Sequence, residues 1–127
     1  MHVTSHQLDS AISPTSTTAS DPICLQRFQG DIDAQTAADF AAALDRVSGQ
    51  KPGAVILDMS GVDFLSASGL ALLVEFCDGA ALLGWHVVCV GRRAVSRPIE
   101  ACGFGDSVAV FDSLEGAGRA LATLADD

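Results

Sequence analysis

Segments of two kinds alternate along most of this chain, and the alternation limits the folds open to it. Short apolar runs with the composition of buried strands lie at residues 23–28, 54–57, 85–90 and 108–111. Between and after them lie longer segments whose apolar residues recur at the three- and four-residue spacing of a helix. Strands that alternate with helices predict an α/β fold with largely parallel pairing. We expect one domain with a central, mostly parallel sheet of four to five strands packed against about four helices.

The second predicted helix, at residues 69–83, differs from the others because it is apolar almost all round. Only Glu75 and Asp78 mark a polar side. A helix of this composition needs cover on most of its surface, so we expect the rest of the fold to bury it largely. The segment before it, residues 59–65, is predicted to be a loop.

The charge balance bears on the kind of partner that the protein has. The chain contains 16 acidic and 7 basic residues, which give a net charge of -9. Nucleic-acid binding needs clustered Lys and Arg, and the nearest approach to a basic patch is Arg92, Arg93 and Arg97. We therefore expect a protein partner and no nucleic acid.

The first 21 residues differ in composition from the rest of the chain. They are rich in Ser and Thr and poor in apolar residues, which predicts a flexible tail at residues 1–21 and a domain at residues 22–127. The tail lacks the apolar stretch of a signal peptide, and no run is long enough to span a bilayer. We expect a cytoplasmic protein without membrane contact that is a monomer or a weak dimer.

Cysteine spacing argues against a metal site. Cys24, Cys77, Cys89 and Cys102 form no Cys-x-x-Cys pair, and the three histidines do not lie at metal-site spacing from them. We expect no metal and no cofactor. The simpler interpretation is that these thiols are buried and act as small apolar groups, and a redox-responsive pair is the alternative.

Four segments of the chain, in register with one another, carry a resemblance to a known family. Residues 30–36 (GDIDAQT) resemble a Gly-Glu-Leu-Asp-x-x-Thr signature, and residues 55–70 (VILDMSGVDFLSASGL) resemble a central strand with the loop that follows it. Residues 82–90 (LLGWHVVCV) and 101–104 (ACGF) fit a later strand and a glycine that ends a helix. Together they resemble the STAS domain of anti-sigma-factor antagonists over about residues 22–124.

This resemblance implies a non-enzymatic partner switch. In such proteins the loop that enters the second helix reads Asp-Ser-Ser-Gly-Leu, and its first serine is phosphorylated by an anti-sigma factor that is also a kinase. The unmodified protein binds that anti-sigma factor and frees the sigma factor. The resemblance implies that the following residues lie near the contact surface: Asp31, Asp33, Ser66, Ala67, Ser68 and Gly69.

The sequence departs from the family at the phosphorylated position. Ser66 aligns with the family aspartate, Ala67 with the phosphorylated serine and Ser68 with the second serine. Alanine has no hydroxyl, so the usual switch cannot operate there. The resemblance therefore leaves three alternatives: a constitutive antagonist, phosphorylation of Ser66 or Ser68 instead, or control by thiols such as Cys77 and Cys102. Helix capping and turn hydrogen bonds also explain both serines.

Other chemistry has weaker support in the sequence. Asp31 and Asp33 are acidic neighbours without further acidic or histidine companions nearby, and a turn before a helix explains them better than acid–base catalysis. Ser66 and Ser68 lack the Gly-x-Ser-x-Gly pattern of a nucleophile loop, and residues 91–93 lack a nucleotide-binding motif. We do not expect this protein to be an enzyme. The alternatives to an antagonist are a redox-responsive STAS signalling or scaffold protein and a STAS regulatory subunit of a transporter.

Overall fold

The computed structural model describes residues 23–125, and the predicted tail at residues 1–21 lies outside that part. The elements follow one another in the predicted alternation of strands and helices. They are β1 (Ile23–Ile32), α1 (Ala37–Gly49), β2 (Ala54–Leu65), α2 (Ala67–Leu82), β3 (His86–Val90), α3 (Arg93–Ala101), β4 (Val110–Phe111) and α4 (Leu114–Ala125).

The four strands form one sheet in the order β1-β2-β3-β4, and each neighbouring pair is parallel. Parallel neighbours need a crossover connection, which α1, α2 and α3 supply in turn. Because strand order follows chain order and such crossovers are right-handed, these three helices cover the same face of the sheet. The predicted α/β fold is confirmed.

Hydrophobic clusters lie on both faces of the sheet. Successive residues of a strand point to opposite faces, and β2 follows this rule: Val55 and Leu57 belong to the larger cluster, whereas Ile56 belongs to the smaller one. The larger cluster includes the buried residues of α1, α2 and α3. The smaller one includes Ala117 and Leu121, so α4 packs on the face opposite the other helices.

The predicted loop at residues 59–65 is wrong, because these residues form the second half of β2. β1 is correspondingly long, and its last residue, Ile32, pairs with Leu65. The pairing includes two register shifts, which interrupt the simple alternation of buried and exposed positions. Met59, Val62 and Leu65 are buried, so spacing along the chain does not show an unbroken strand here.

The helix α2 is less covered than its composition predicts. Its buried side faces the sheet and α1, and consists of Gly69, Leu70, Leu73, Cys77 and Ala80. Its outer side remains in solvent, where Leu82 is 90% exposed. The expectation that the fold largely buries this helix is therefore wrong for the described part of the chain, since only α1 and the sheet pack closely against it.

Candidate functional site

Two loops meet at the edge of the sheet where β1 and β2 end. Because these strands are parallel neighbours, the segments that follow them leave from the same edge. The backbone N–H of Ser66 donates to the carbonyl oxygen of Ile32 at 2.8 Å and ties the two loops together. Asp31 at the end of β1 and Asp33 in the turn after it are thereby held beside the start of α2, so the structure brings the predicted contact residues into one region.

Ser66 is the N-cap of α2. Its backbone is extended, and its hydroxyl oxygen accepts a hydrogen bond from the N–H of Gly69 at 3.2 Å. The same oxygen lies 3.0 Å from the hydroxyl oxygen of Ser68, within hydrogen-bonding distance. The capping interpretation of Ser66 is confirmed. Ser66 is half-buried, whereas Ala67 and Ser68 are exposed.

Gly69 lets α2 approach β1 and β2 closely. A Cβ atom at this position would lie 2.6 Å from Cγ2 of Ile32 and 2.9 Å from Cδ1 of Leu65, both far inside normal contact distance. Ile32 and Leu65 are buried, so neither side chain has free space beside it. The absence of a side chain at Gly69 therefore determines how near the exposed residues of this helix start lie to the turn after β1.

The turn after β1 is organised by Asp33 and Thr36. One carboxylate oxygen of Asp33 accepts hydrogen bonds from the backbone N–H groups of Gln35 at 2.9 Å and Thr36 at 3.2 Å. The hydroxyl of Thr36 donates to the carbonyl oxygen of Asp31 at 2.8 Å and does not cap α1 through its side chain. The turn interpretation accounts for Asp33, and Asp31 is exposed beside it.

Phe64 is a residue of this region that the sequence analysis missed. It pairs with Asp31 across β1 and β2, and it is 52% exposed. One exposed apolar side chain is ordinary by itself, but Phe64 lies beside the polar residues of this region and adds apolar area to the surface that they form. Its position between buried Val62 and buried Leu65 does not follow simple alternation, which is why the sequence does not reveal its exposure.

Arg92 contacts the second half of β2, on the side where this strand no longer pairs with β3. Its Nε donates to the carbonyl oxygen of Ser60 at 3.0 Å, and its guanidinium lies 3.6 Å from the carboxylate of Asp63. Both ionic side chains are largely exposed, so this ion pair contributes little stability by itself. Its effect is to connect the residue before α3 to the strand that leads into the candidate site.

Asp58, also missed, anchors a polar network in the middle of β2. Its carboxylate is buried and accepts from Arg27 Nε at 3.2 Å. The other carboxylate oxygen accepts from the backbone N–H of Ser60 at 3.1 Å and from its hydroxyl at 2.7 Å. These three donors satisfy a buried charge that would otherwise be costly.

The four cysteines have different environments, and none of them forms a disulfide. Cys24, Cys77 and Cys89 are buried, whereas Cys102 is exposed. The hydrogen bond with the Cys77 side chain, together with burial, raises the pKa of the Cys89 thiol well above its ordinary value. The interpretation as small apolar groups fits the three buried thiols. A pairing of Cys77 with Cys102 stays a prediction.

Residues 23–125 contain neither a group of metal-ligating side chains nor a membrane-spanning helix. Within that range, no three or more His, Cys, Asp or Glu side chains are grouped so that they could hold a metal ion. None of the helices in the same range has the length and apolar character needed to cross a membrane.

The sheet order, the helices on its two faces and the capped helix start after β2 together define an α/β domain of STAS type. The family model described as "STAS domain" matches residues 15–117. The chain belongs to the STAS domain family, as the resemblance implied.

Relatives of the chain include two proteins of Mycobacterium tuberculosis (strain H37Rv). The chain is 34% identical to anti-sigma-F factor antagonist RsfA over 67 residues, which are 52% of this chain and 52% of RsfA. It therefore spans about half the length of that relative. It is 30% identical to anti-sigma-F factor antagonist RsfB over 88 residues, which are 69% of this chain and 72% of RsfB.

A solved structure is also similar. The crystal structure of an anti-sigma factor antagonist from Mycobacterium paratuberculosis superposes with a TM-score of 0.73 at 27% identity, and the match covers 80% of this chain and 87% of that one. The fold of the described residues is thus that of a solved antagonist.

Proposed function

We propose that this protein is an anti-sigma-factor antagonist, which binds an anti-sigma factor and thereby releases a sigma factor for transcription. The observation that carries the proposal is the start of α2, where hydrogen bonds hold an exposed segment at the edge of a STAS fold. Ser66 caps the helix and buried Gly69 sets its distance from the sheet. A surface that is already ordered loses little entropy on binding, which favours recognition.

The proposed contact surface combines the two loops at this edge. It consists of exposed Ala67 and Ser68, Asp31 at the end of β1, Asp33 in the turn after it, and the exposed ring of Phe64. The relatives RsfA and RsfB, which are named anti-sigma-F factor antagonists, support the choice of partner class. We propose that the protein acts by binding alone, in the cytoplasm, and without a cofactor.

Control of the proposed interaction takes one of three forms. Ala67, at the family's phosphoserine position, is exposed at the first residue of α2 and offers no hydroxyl. In the first form, binding is constitutive and the amount of protein sets the response. In the second, a kinase-type anti-sigma factor modifies Ser68, whose exposure favours it over the half-buried, capping Ser66. In the third, oxidation of Cys77 and Cys102 regulates binding.

The two alternatives have less support than the antagonist. A redox-responsive STAS protein would depend on oxidation of the pair Cys77 and Cys102, yet Cys77 is buried. The hypothesis of a STAS subunit of a transporter has no support from RsfA, RsfB or the solved M. paratuberculosis structure, because all three are named antagonists.

The decisive experiment measures binding of the full chain to the anti-sigma factors of its organism by calorimetry, with and without Mg·ATP, under reducing and oxidising conditions. We expect binding that ATP does not change in the wild type. An Ala67→Ser variant should bind equally well without ATP and lose binding with it if the anti-sigma factor is a kinase.

Matched variants separate the forms of control. If ATP weakens binding of the wild type, Ser68→Ala should remove that effect, whereas Ser107→Ala, an exposed serine outside the proposed surface, should not. Loss of binding only on oxidation would favour the thiol form. Absence of binding to any anti-sigma factor in any condition would leave the STAS fold and remove the proposed function.

A further inference from the structure

Several apolar residues on and just after α2 are only partly covered by the described part of the fold. Leu72 and Phe76 are half-buried, and Leu82 and Leu83 at its end are 90% and 65% exposed. Isolated exposed leucines are ordinary, but Leu83 follows Leu72 and Phe76 at helical spacing, and an exposed leucine continuous with other apolar residues on one side is typical of an interaction surface.

A groove between α1 and α2 continues this surface. Its volume is about 250 Å³, and its apolar lining includes Phe76, Leu83 and the half-buried ring of Trp85. No side chain extends from Gly79, which also lines the groove. Clefts with an apolar lining between two helices bind amphipathic helices, which insert side chains spaced three and four residues apart.

The charges along the groove are acidic. Asp45 of α1 and Glu75 of α2 both line it, and both are exposed. Neither carboxylate forms an ion pair with another residue in the range 23–125. Along α2 the only other charged residue is Asp78, so this helix carries no cation. A ligand with Lys or Arg beside its apolar residues would complement this pattern.

We propose that the groove between α1 and α2 is a docking site for a cationic amphipathic helix of a partner protein. Such a helix would place apolar side chains against Phe76, Leu83 and Trp85. Its lysines or arginines would meet Asp45 and Glu75 at the rim.

Two other occupants fit the chemistry less well. A second copy of this chain, related by a two-fold axis, would bring Asp45 and Glu75 towards their own counterparts, and each chain has a net charge of -9. The first 22 residues of the chain contain no Lys or Arg, so they offer no permanent cation to these carboxylates.

This site is separate from the surface of the proposed function. None of the residues of the proposed contact surface lines the groove, whose lining on α2 begins at Leu72, about one turn after Ser68, and ends at Leu83, just after the helix. The inference therefore does not depend on binding of an anti-sigma factor at the edge of the sheet, and the two can be tested independently.

The chain provides its own reporter for the test, because Trp85 is its single tryptophan. The full chain is titrated with a synthetic 18-residue helix of leucines flanked by lysines and without tryptophan, while Trp85 emission is recorded. The comparison peptide has glutamate in place of every lysine. We expect a saturable change in emission with the lysine peptide that weakens as salt rises, and none with the glutamate peptide.

Variants locate the binding. Leu83→Ser should weaken binding of the lysine peptide at least fivefold. Glu75→Gln should also weaken binding of this peptide and should reduce the dependence of binding on salt. Leu124→Ser, which removes an exposed leucine from α4 on the other face, should leave binding within twofold. Circular dichroism spectra like that of the wild type would confirm that these surface variants fold.

Four results would overturn the proposal. The first is equal binding of the lysine and glutamate peptides, and the second is equal loss in Leu83→Ser and Leu124→Ser. The third is a concentration-dependent dimer, detected by sedimentation, that Leu83→Ser abolishes, because this result would assign the groove to a second copy of the chain. Lack of any emission change up to about 1 mM lysine peptide would also exclude a useful site.

Discussion

Two glycines of α2, Gly69 and Gly79, should respond in opposite directions when each is replaced by alanine. Both lie inside the helix, and neither has a positive φ, so alanine fits the backbone at both positions. They differ in what surrounds the added methyl group. At Gly79 it would meet no atom within 4 Å, whereas at Gly69 it would lie 2.6 Å from Cγ2 of Ile32 and 2.9 Å from Cδ1 of Leu65.

The magnitudes follow from two opposing effects. Alanine in place of glycine in a helix stabilises a protein by about 0.5–1 kcal/mol, chiefly because the unfolded chain loses freedom. Overpacking a tight core costs about 1–3 kcal/mol. Ile32 is buried and β-branched, so it cannot easily turn aside at Gly69. We expect Gly69→Ala to lower the free energy of unfolding by about 1–2 kcal/mol and Gly79→Ala to raise it by about 0.5–1 kcal/mol.

Urea unfolding followed by circular dichroism measures both changes, and equal m values would show that the unfolded state is comparable. Each kcal/mol corresponds to a shift of about 4–8 °C in Tm for a domain near 100 residues, so both effects are large enough to detect. If Gly69→Ala were as stable as Gly79→Ala, the close approach of α2 to Ile32 would be wrong, and with it the position of the candidate site.

Ala67→Asp should raise the free energy of unfolding by about 0.3–1 kcal/mol, because the first turn of α2 has no acidic residue, yet it should weaken anti-sigma-factor binding at least tenfold by calorimetry. Unchanged affinity would remove residue 67 from the interface. Asp58→Asn should cost about 1–3 kcal/mol in thermal unfolding, whereas Arg27→Gln should cost less than about 1 kcal/mol because Arg27 is half exposed; the reverse order would contradict the buried network. A thiol reagent should modify one cysteine rapidly, and Cys102→Ser should remove that phase; a second fast thiol would contradict the burial of the others. The pKa of Cys89 is raised in the folded protein, so the unfolded chain releases this proton at a lower pH than the folded one does. The free energy of unfolding should therefore fall as the pH rises above about 8.5. Cys89→Ala should show a smaller fall over the same pH range. Equal slopes of stability against pH in the wild type and Cys89→Ala would contradict a role of Cys89 in this loss of stability.

The element order and the sheet class could be predicted from residues 22–124 because they depend on local signals. The apolar run at residues 54–57 lies in β2, and a glycine, Gly49, is the last residue of α1. Each of these signals acts within a few residues along the chain. The family resemblance likewise depends on short segments, and it identified the STAS fold correctly.

The length of β2 and the cover of α2 could not be predicted in this way. Residues 59–65 form a strand because β1 lies beside them, and that pairing joins residues about 30 positions apart in the chain with two register shifts. The outer side of α2 stays in solvent because neighbouring elements reach only its inner side. Composition indicates how much of a helix is apolar, but not how many partners the fold supplies.

The candidate site divides in the same way. The sequence by itself determined that residue 67 lacks a hydroxyl, that a helix starts nearby and that a serine is available to cap it, since these depend on residue identity. Only the tertiary structure decided that Phe64 is exposed, that Asp58 is buried with Arg27, and that Gly69 has Ile32 against it. These properties arise from the parallel pairing of β1 with β2, because contacts between distant segments depend on the packing of the whole sheet rather than on the spacing of residues along one segment.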